Sequence, residues 1–277
     1  RALSFDRVIA QGLLSDGVAL PPLLDTLAST LTAGGRALLL EPSLSPTSLL
    51  EALLKASPEL EEALEGAQLV TLVVPTHVMR DVVRSLAHLI EPGAVVVSAS
   101  KGIENERLYT MEEVLAELLP SHKNQLAFLS GPSFAKETLE RQATAVTIAS
   151  RSLEVAHRAQ ERFNTSYFRV YTTDDVTGVE LGGALKNVIA IAAGVADGLG
   201  LGHNSRAALI TRGVAEISRL GMAMGAHPLT LSGLSGVGDL ILTCTGGLSR
   251  NRHVGVELGK GRQLDEILAE MGQVAEG

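Results

Sequence analysis

The chain has 277 residues, is 45% hydrophobic but only 3% aromatic, and carries a formal net charge of −8. That length accommodates two domains around cores of Leu, Val, Ile and Ala, and the apolar content excludes a disordered chain. The negative balance argues against nucleic acid or an anionic membrane surface as the main partner, so any phosphate must be met by a local device.

In chain order, Arg7 to Gly12 reads RVIAQG, followed by an apolar stretch to Leu31 and a strand-like run over 36–40 that ends at Glu41. This order imitates strand, loop, helix, strand with an acid at the end of the second strand, but Gly12 and Gly17 do not fit G-x-G-x-x-G. Pro21 and Pro22 suit a helix start. The Leu, Ala, Ser and Pro bias of 42–57 reads as filler between elements.

From Leu69 onward the pattern sharpens. Val-rich runs over 69–74, 94–99, 125–130, 143–149 and 168–172 predict buried strands, and amphipathic periodicity over 78–90, 108–119 and 153–163 predicts helices between them. Alternation of this kind implies a Rossmann-like, mostly parallel sheet with helices on both faces, an α/β fold. In such sheets ligands sit at the carboxyl ends of the strands, here the loops PTH after Val74, SKG after Ala99 and GPSFAKE after Ser130. Pro75 and Thr76 turn the chain into a helix whose N-terminus faces the cleft. Lys101 is either a point charge for a phosphate or carboxylate or a solvated loop cation. Gly131, Pro132 and Ser133 give a tight turn bearing a hydroxyl.

The strand rhythm stops after Asp175, and 179–197, 205–220 and 250–258 read as helices, which places a domain boundary near Thr177 and makes 178–277 all-helical. The first of these helices holds a lysine in an apolar pattern. Gly182, Lys186, Ala190, Ala193 and Asp197 share one stripe, nearly bare of bulk, which predicts room for a ligand along it, with Leu181, Leu185, Val188, Ile189 and Ile191 anchoring the helix. Desolvation lowers the pKa of such an ammonium toward neutrality, as a proton carrier requires. A structural pairing with a core carboxylate is the equal alternative. Asn204 and Arg206 are further candidates for the cleft. Asp239, in GVGDLILT, either orients Lys186 or a substrate hydroxyl, or caps the helix that follows, and GVGDLI itself reads as a turn. The segment LSRNRHVG offers Ser249 as an N-cap with Arg250, Asn251 and Arg252 in the first turn, and two arginines at a helix N-terminus suggest a bound phosphate. The single Cys244 reads as a small buried hydrophobe, excludes an internal disulfide and suits a reducing, cytoplasmic setting. The seven histidines show no ligand spacing, so no metal is expected, and no span or signal peptide is evident, so no stable membrane insertion is expected either.

Taken together, VVPTH, SASKGIE, SGPSFAKE, the run VTGVELGGALKNVIAIAAGVADGLGLGHNSRAALITRG, GLSGVGDLILTCTG, LSRNR and GQVAEG resemble bacterial NAD(P)-dependent glycerol-3-phosphate dehydrogenase, over about 69–277. The resemblance implies hydride transfer between sn-glycerol 3-phosphate and glycerone phosphate with NAD or NADP, feeding glycerophospholipid synthesis. It implies a dinucleotide-binding domain over 1–177 and a helical substrate domain from 178, which in the family continues into helices beyond Gly277. Lys186 would be the general acid and base. Lys101, Gly131, Ser133, Lys186, Asp239, Ser249, Arg250 and Asn251 would hold the substrate, and Lys101, Ala135, Arg250, Val274 and Glu276 the cofactor. The missing glycine fingerprint in 1–60 leaves two readings, an active dehydrogenase with an unusual turn and a catalytically silent relative or fragment lacking a competent dinucleotide cradle. The expected partners are a small-molecule substrate and, through an exposed helical face of the C-terminal region, a second copy of the chain.

Overall fold

The computed structural model describes residues 5–11, 31–40 and 57–271. Seven strands form a single sheet in the order β2-β1-β3-β4-β5-β6-β7. Strands β1 (Phe5–Gln11) and β2 (Leu31–Leu40) run parallel in the register Val8 to Ala37 and Ile9 to Leu38, and β1 also pairs in parallel with β3 (Leu69–Val73). The strand-like reading of 7–11 and 36–40 therefore holds, and the second strand starts five residues earlier. Gly12, Gly17, the two prolines, Glu41 and most of 42–57 lie outside the described residues.

Helix α1 (Ser57–Leu64) leads into β3, and α2 (Thr76–Leu86) leads through a 3-10 turn toward β4 (Val95–Ser98). A capping box starts α3 (Met111–Leu118), where Thr110 accepts the N–H of Glu113 and the Glu113 carboxylate accepts that of Thr110. The next strand, β5 (Leu126–Ser130), is parallel to β4. Between β5 and β6 (Thr144–Ala149) the chain makes only a short helix, α4 (Ala135–Leu139), and no crossover, so β6 returns antiparallel, Leu129 facing Ile148. The GPSFAKE segment consequently stays at the carboxyl edge of the sheet. A crossover through α5 (Leu153–Phe163) then restores parallel pairing for β7 (Phe168–Thr173).

Alternate strand residues feed two cores. Val70, Leu72, Val96 and Phe128 meet Val82 and Val83 of α2 and Leu115 of α3 on one face, while Leu69, Val95, Val97 and Ile148 meet Val155, Ala159 and Phe163 of α5 on the other. Helices on both faces were the sequence-based expectation.

The helical region opens with α6 (Val176–Gly198), N-capped by Asp175, whose side chain accepts the Gly178 N–H at 2.9 Å. It is followed by α7 (Gly202–Ala223), the short α8 (Pro228–Leu231), a π-helical turn over Leu234–Gly238, α9 (Asp239–Thr245), α10 (Arg250–Gly259) and α11 (Leu264–Met271). By length and apolarity α6 matches a membrane span, yet most of it is buried within the protein, as for a core helix. Its small residues serve packing. A Cβ on Gly194 would stand 2.9 Å from the Gly255 Cα of α10, and a Cβ on Gly182 2.5 Å from the Ser235 carbonyl oxygen. The stripe expected to leave room for a ligand is instead covered, Gly182 by the π turn and Ala190 and Ala193 by a cluster that includes Ile217, Leu231, Leu240 and Cys244. Val188, expected as an anchor, is 55% exposed.

Candidate active site

Three elements converge on one carboxylate. The π turn delivers Asp239 as the first residue of α9, where it is buried together with Lys186 of α6. Lys186 Nζ donates to Asp239 Oδ1 at 2.7 Å and to Thr243 Oγ1 at 3.0 Å. The Thr243 hydroxyl donates in turn to the Asp239 carbonyl at 2.7 Å, one turn back along α9. Lys101, in the loop after β4, donates from Nζ to Asp239 Oδ2 at 2.7 Å and to the Gly131 carbonyl at 2.8 Å. Each oxygen of Asp239 therefore holds one ammonium.

The electrostatics follow from this geometry. Burial lowers the Lys186 pKa to about 8, Lys101 pushes it the same way, and Asp239 opposes both. Burial alone would raise the Asp239 pKa, but Lys101 and then Lys186 outweigh it and hold the carboxyl below its usual range. Asp239 is accordingly a fixed anion between two cations, and Lys186 is the member able to exchange a proton near neutrality. Of the two readings of Asp239, orienting Lys186 is the one observed. Asp239 occupies the first helical position, and Gly238 is the N-cap.

The edge of the sheet supplies the rest. Gly131, at φ 144°, faces β6 so closely that a Cβ would lie 2.9 Å from Val146 Cα, which a side chain would obstruct. Its carbonyl accepts from Ser133 Oγ at 3.1 Å as well as from Lys101. Ala135 begins α4 directly after this turn. Ser249 caps α10 as expected, accepting the Arg252 N–H at 3.2 Å. Asn251 is buried with Oδ1 unpaired, and Arg250 is exposed.

Two expectations need correction. Arg252 is not available for a phosphate, because its Nη2 and Nε bind Asp197 Oδ2 at 2.7 and 3.0 Å. Arg206 does not reach the cleft, since it holds the same Asp197 at 3.0 Å, and Asn204 is exposed. Among the described residues, this leaves Arg250 as the arginine of the α10 start without an ion-pair partner. Thr243 and Asn187, whose amide donates to the Lys101 carbonyl at 3.2 Å, escaped sequence reasoning. The i, i+4 spacing of Asp239 and Thr243 on a helix was the available signal for the first. Cys244 is fully buried, its pKa pushed up to about 12 by that burial, in accord with an inert hydrophobe. Val274 and Glu276 lie outside the described residues. Among those described, no group of His, Cys, Asp and Glu side chains forms a metal site.

Comparison with known proteins bears directly on this constellation. Residues 42–156 match the model of the NAD-dependent glycerol-3-phosphate dehydrogenase N-terminus, and residues 175–277 that of its C-terminus. The chain belongs to this family. It is 60% identical over 224 residues to a glycerol-3-phosphate dehydrogenase [NAD(P)+] of Myxococcus xanthus, covering 80% of this chain and 67% of that protein. A Geobacter metallireducens protein of the same name is 57% identical over 233 residues, 84% of this chain and 70% of the relative. The chain thus spans about two thirds of the length of these curated relatives. The crystal structure of glycerol-3-phosphate dehydrogenase from Coxiella burnetii superposes with a TM-score of 0.81 at 34% identity, over 99% of this chain and 86% of that one. The family resemblance and the Rossmann-like fold read from the sequence are both borne out.

Proposed function

We propose that this chain interconverts sn-glycerol 3-phosphate and glycerone phosphate by hydride transfer with NAD or NADP, with Lys186 carrying the proton. The observation that carries the reading is the buried Lys186 ammonium, set on the Asp239 carboxylate with its pKa lowered to about 8. In the reducing direction Lys186 Nζ gives its proton to the carbonyl oxygen of glycerone phosphate as that oxygen gains charge. In the oxidising direction the neutral amine removes the hydroxyl proton. Asp239 fixes the position of Nζ, and Thr243 fixes its remaining direction. Lys101, held by Asp239 and Gly131, keeps a second positive charge beside the reacting oxygen and makes proton release from Lys186 easier. We assign the phosphate to exposed Arg250 and the start of α10, with Ser249 shaping that turn and Asn251 offering its unpaired Oδ1 to the substrate or to an ordered neighbour of it. Gly131 and Ser133 close the sheet side.

The residues present fit a dinucleotide. The strand order turns back between β1 and β3, the crevice where such ligands lie, and the N-cap of α2 there, Pro75, offers no side-chain acceptor to the helix N-terminus. We assign the cofactor contacts to Lys101, Ala135, Arg250, Val274 and Glu276. When bound, the nicotinamide supplies or accepts the hydride. We place the enzyme in the cytoplasm, supplying the glycerol backbone of phospholipids, and assign exposed Leu220 and Met222 of α7 to contact with a second copy of the chain.

Initial rates of NADH and NADPH oxidation with glycerone phosphate, beside a direct titration of each cofactor, test the reading. Saturable turnover with either cofactor is expected. Binding of neither at millimolar concentration favours the catalytically silent alternative.

A further inference from the structure

Helix α6 presents a second stripe beside the one bearing Lys186. Glu180, Gly183 and Asn187, spaced three and four apart, face the segment that carries Lys101. Asn187 holds the Lys101 carbonyl, and a Cβ on Gly183 would lie 3.5 Å from Lys101 Cγ and 2.7 Å from Ser130 Oγ. Glu180 lines the same small recess as Lys101, Ser98, Ser100, Ser130 and Gly183. Its Oε1 accepts the N–H of Glu112 at 2.9 Å, a first-turn donor of α3 that the Thr110–Glu113 capping box leaves over. The loop from Lys101 to Thr110 is therefore pinned to α6 at both ends, by Asn187 at one and Glu180 at the other.

We propose that Glu180 is a positioning residue for Lys101, a strut that fixes the start of α3 against the lysine-bearing helix and so holds the Lys101 loop in register with Asp239. This rests on the dehydrogenase reading given above. Nothing in that mechanism otherwise uses a carboxyl here, and Oε2 is buried without a hydrogen-bond partner. The groups around Glu180 explain why the strut works as a neutral acid. From α3 it faces the carboxylates of Glu112 and Glu113. From the loop before α5 comes Arg151, which is already bound to Glu112 at 2.6 and 2.7 Å and to Thr177 at 3.2 Å. Lys101, across the recess, is committed to Asp239. Burial raises the Glu180 pKa to about 8, against the pull of the Glu112 N–H and with Glu112 adding to the rise. Ionisation above that pH sets a third carboxylate against Glu112 and Glu113 and loosens the loop.

The test compares wild type, E180Q and E180A in NAD(P)H oxidation by glycerone phosphate from pH 6 to pH 9.5, with hydrogen exchange at amide 112 followed by mass spectrometry. E180A should raise KM for glycerone phosphate about tenfold at pH 7 while kcat changes by less than about threefold, and E180Q should stay within about twofold of wild type. At pH 9 wild-type KM should rise and that of E180Q should not, whereas the kcat limb set by Lys186 persists in both. Wild-type KM values for both variants at every pH would overturn the proposal, as would an E180Q as impaired as E180A. If E180A does not fold, the presence or absence of the pH 9 rise in E180Q decides alone. Absence of turnover in wild type refutes the dehydrogenase reading separately, and amide 112 then decides the strut. Faster exchange in E180A but not in E180Q supports it, and unchanged protection in E180A overturns it.

Discussion

Helix α6 carries two clusters with the same stoichiometry, one aspartate between two cations, three turns apart. At Asp239 the cations are Lys101 and Lys186. At Asp197, on α6 itself, they are Arg206 and Arg252. The difference lies in burial and in cation type. Asp239 and Lys186 are buried, and a lysine pressed out of water can surrender its proton, whereas the half-buried arginines around Asp197 lock α6, α7 and α10 together. One arrangement suits the proposed proton carrier and the other forms a brace, although both look alike in a list of ion pairs.

Substitutions can break this contrast or sharpen it. The largest effect is expected from Lys186→Ala, which should lower turnover by about two to four orders of magnitude while cofactor binding, read by fluorescence titration, persists. Near-normal turnover would refute the assignment of the proton to Lys186. Asp239→Asn should cost about a hundredfold in turnover, because the ammonium groups lose their shared anchor. The same change removes the charge that raises the Lys186 pKa, so the alkaline limb of the pH–rate profile should move to lower pH, and a shift upward would contradict the electrostatics described.

In the wild-type enzyme the reductive rate should fall about tenfold per pH unit above about 8, where Lys186 loses the proton it must donate, and the oxidative rate should rise through the same pH and level off. Matching slopes in both directions would rule out a single acid–base group. Smallest in its effect on chemistry is Asp197→Asn. It leaves two arginines facing one another, so urea unfolding should show a loss of about 1–3 kcal/mol, discounted for partial exposure, with turnover within about threefold of wild type. A hundredfold loss of turnover there would erase the distinction between brace and proton carrier.

Much of this was legible beforehand. The five strands over 69–173 could be placed because they are Val-rich runs, the central ones buried on both faces, and helices α5, α6, α7 and α10 because of their apolar spacing. Lys186, Asp239 and the Ser249 cap were visible as residue types out of keeping with their surroundings. The errors arose where one side chain had two suitors. Arg252 and Arg206 read as anion binders because a sequence does not show that Asp197, 55 positions before the one and nine before the other, satisfies both first. The bare stripe on α6 read as space for a ligand because small residues serve two opposite purposes, opening a cleft or admitting another backbone, and the close approach of Gly182 to the Ser235 carbonyl is a fact of tertiary packing alone. Helix α9 was legible only through the reading in which Asp239 caps a following helix, because seven residues after a π turn are too few to display a period.

By itself the sequence determined the alternation of strand and helix, the change to an all-helical second half, and a family resemblance carried by loops at the ends of strands. These are local properties, set by side-chain period, turn chemistry and residue type within a few positions of one another. Only the tertiary structure decided which lysines share Asp239, which arginines are consumed by Asp197, and that Glu180 meets the start of α3. Those outcomes depend on distances between residues up to 138 positions apart, and on the desolvation that their convergence creates.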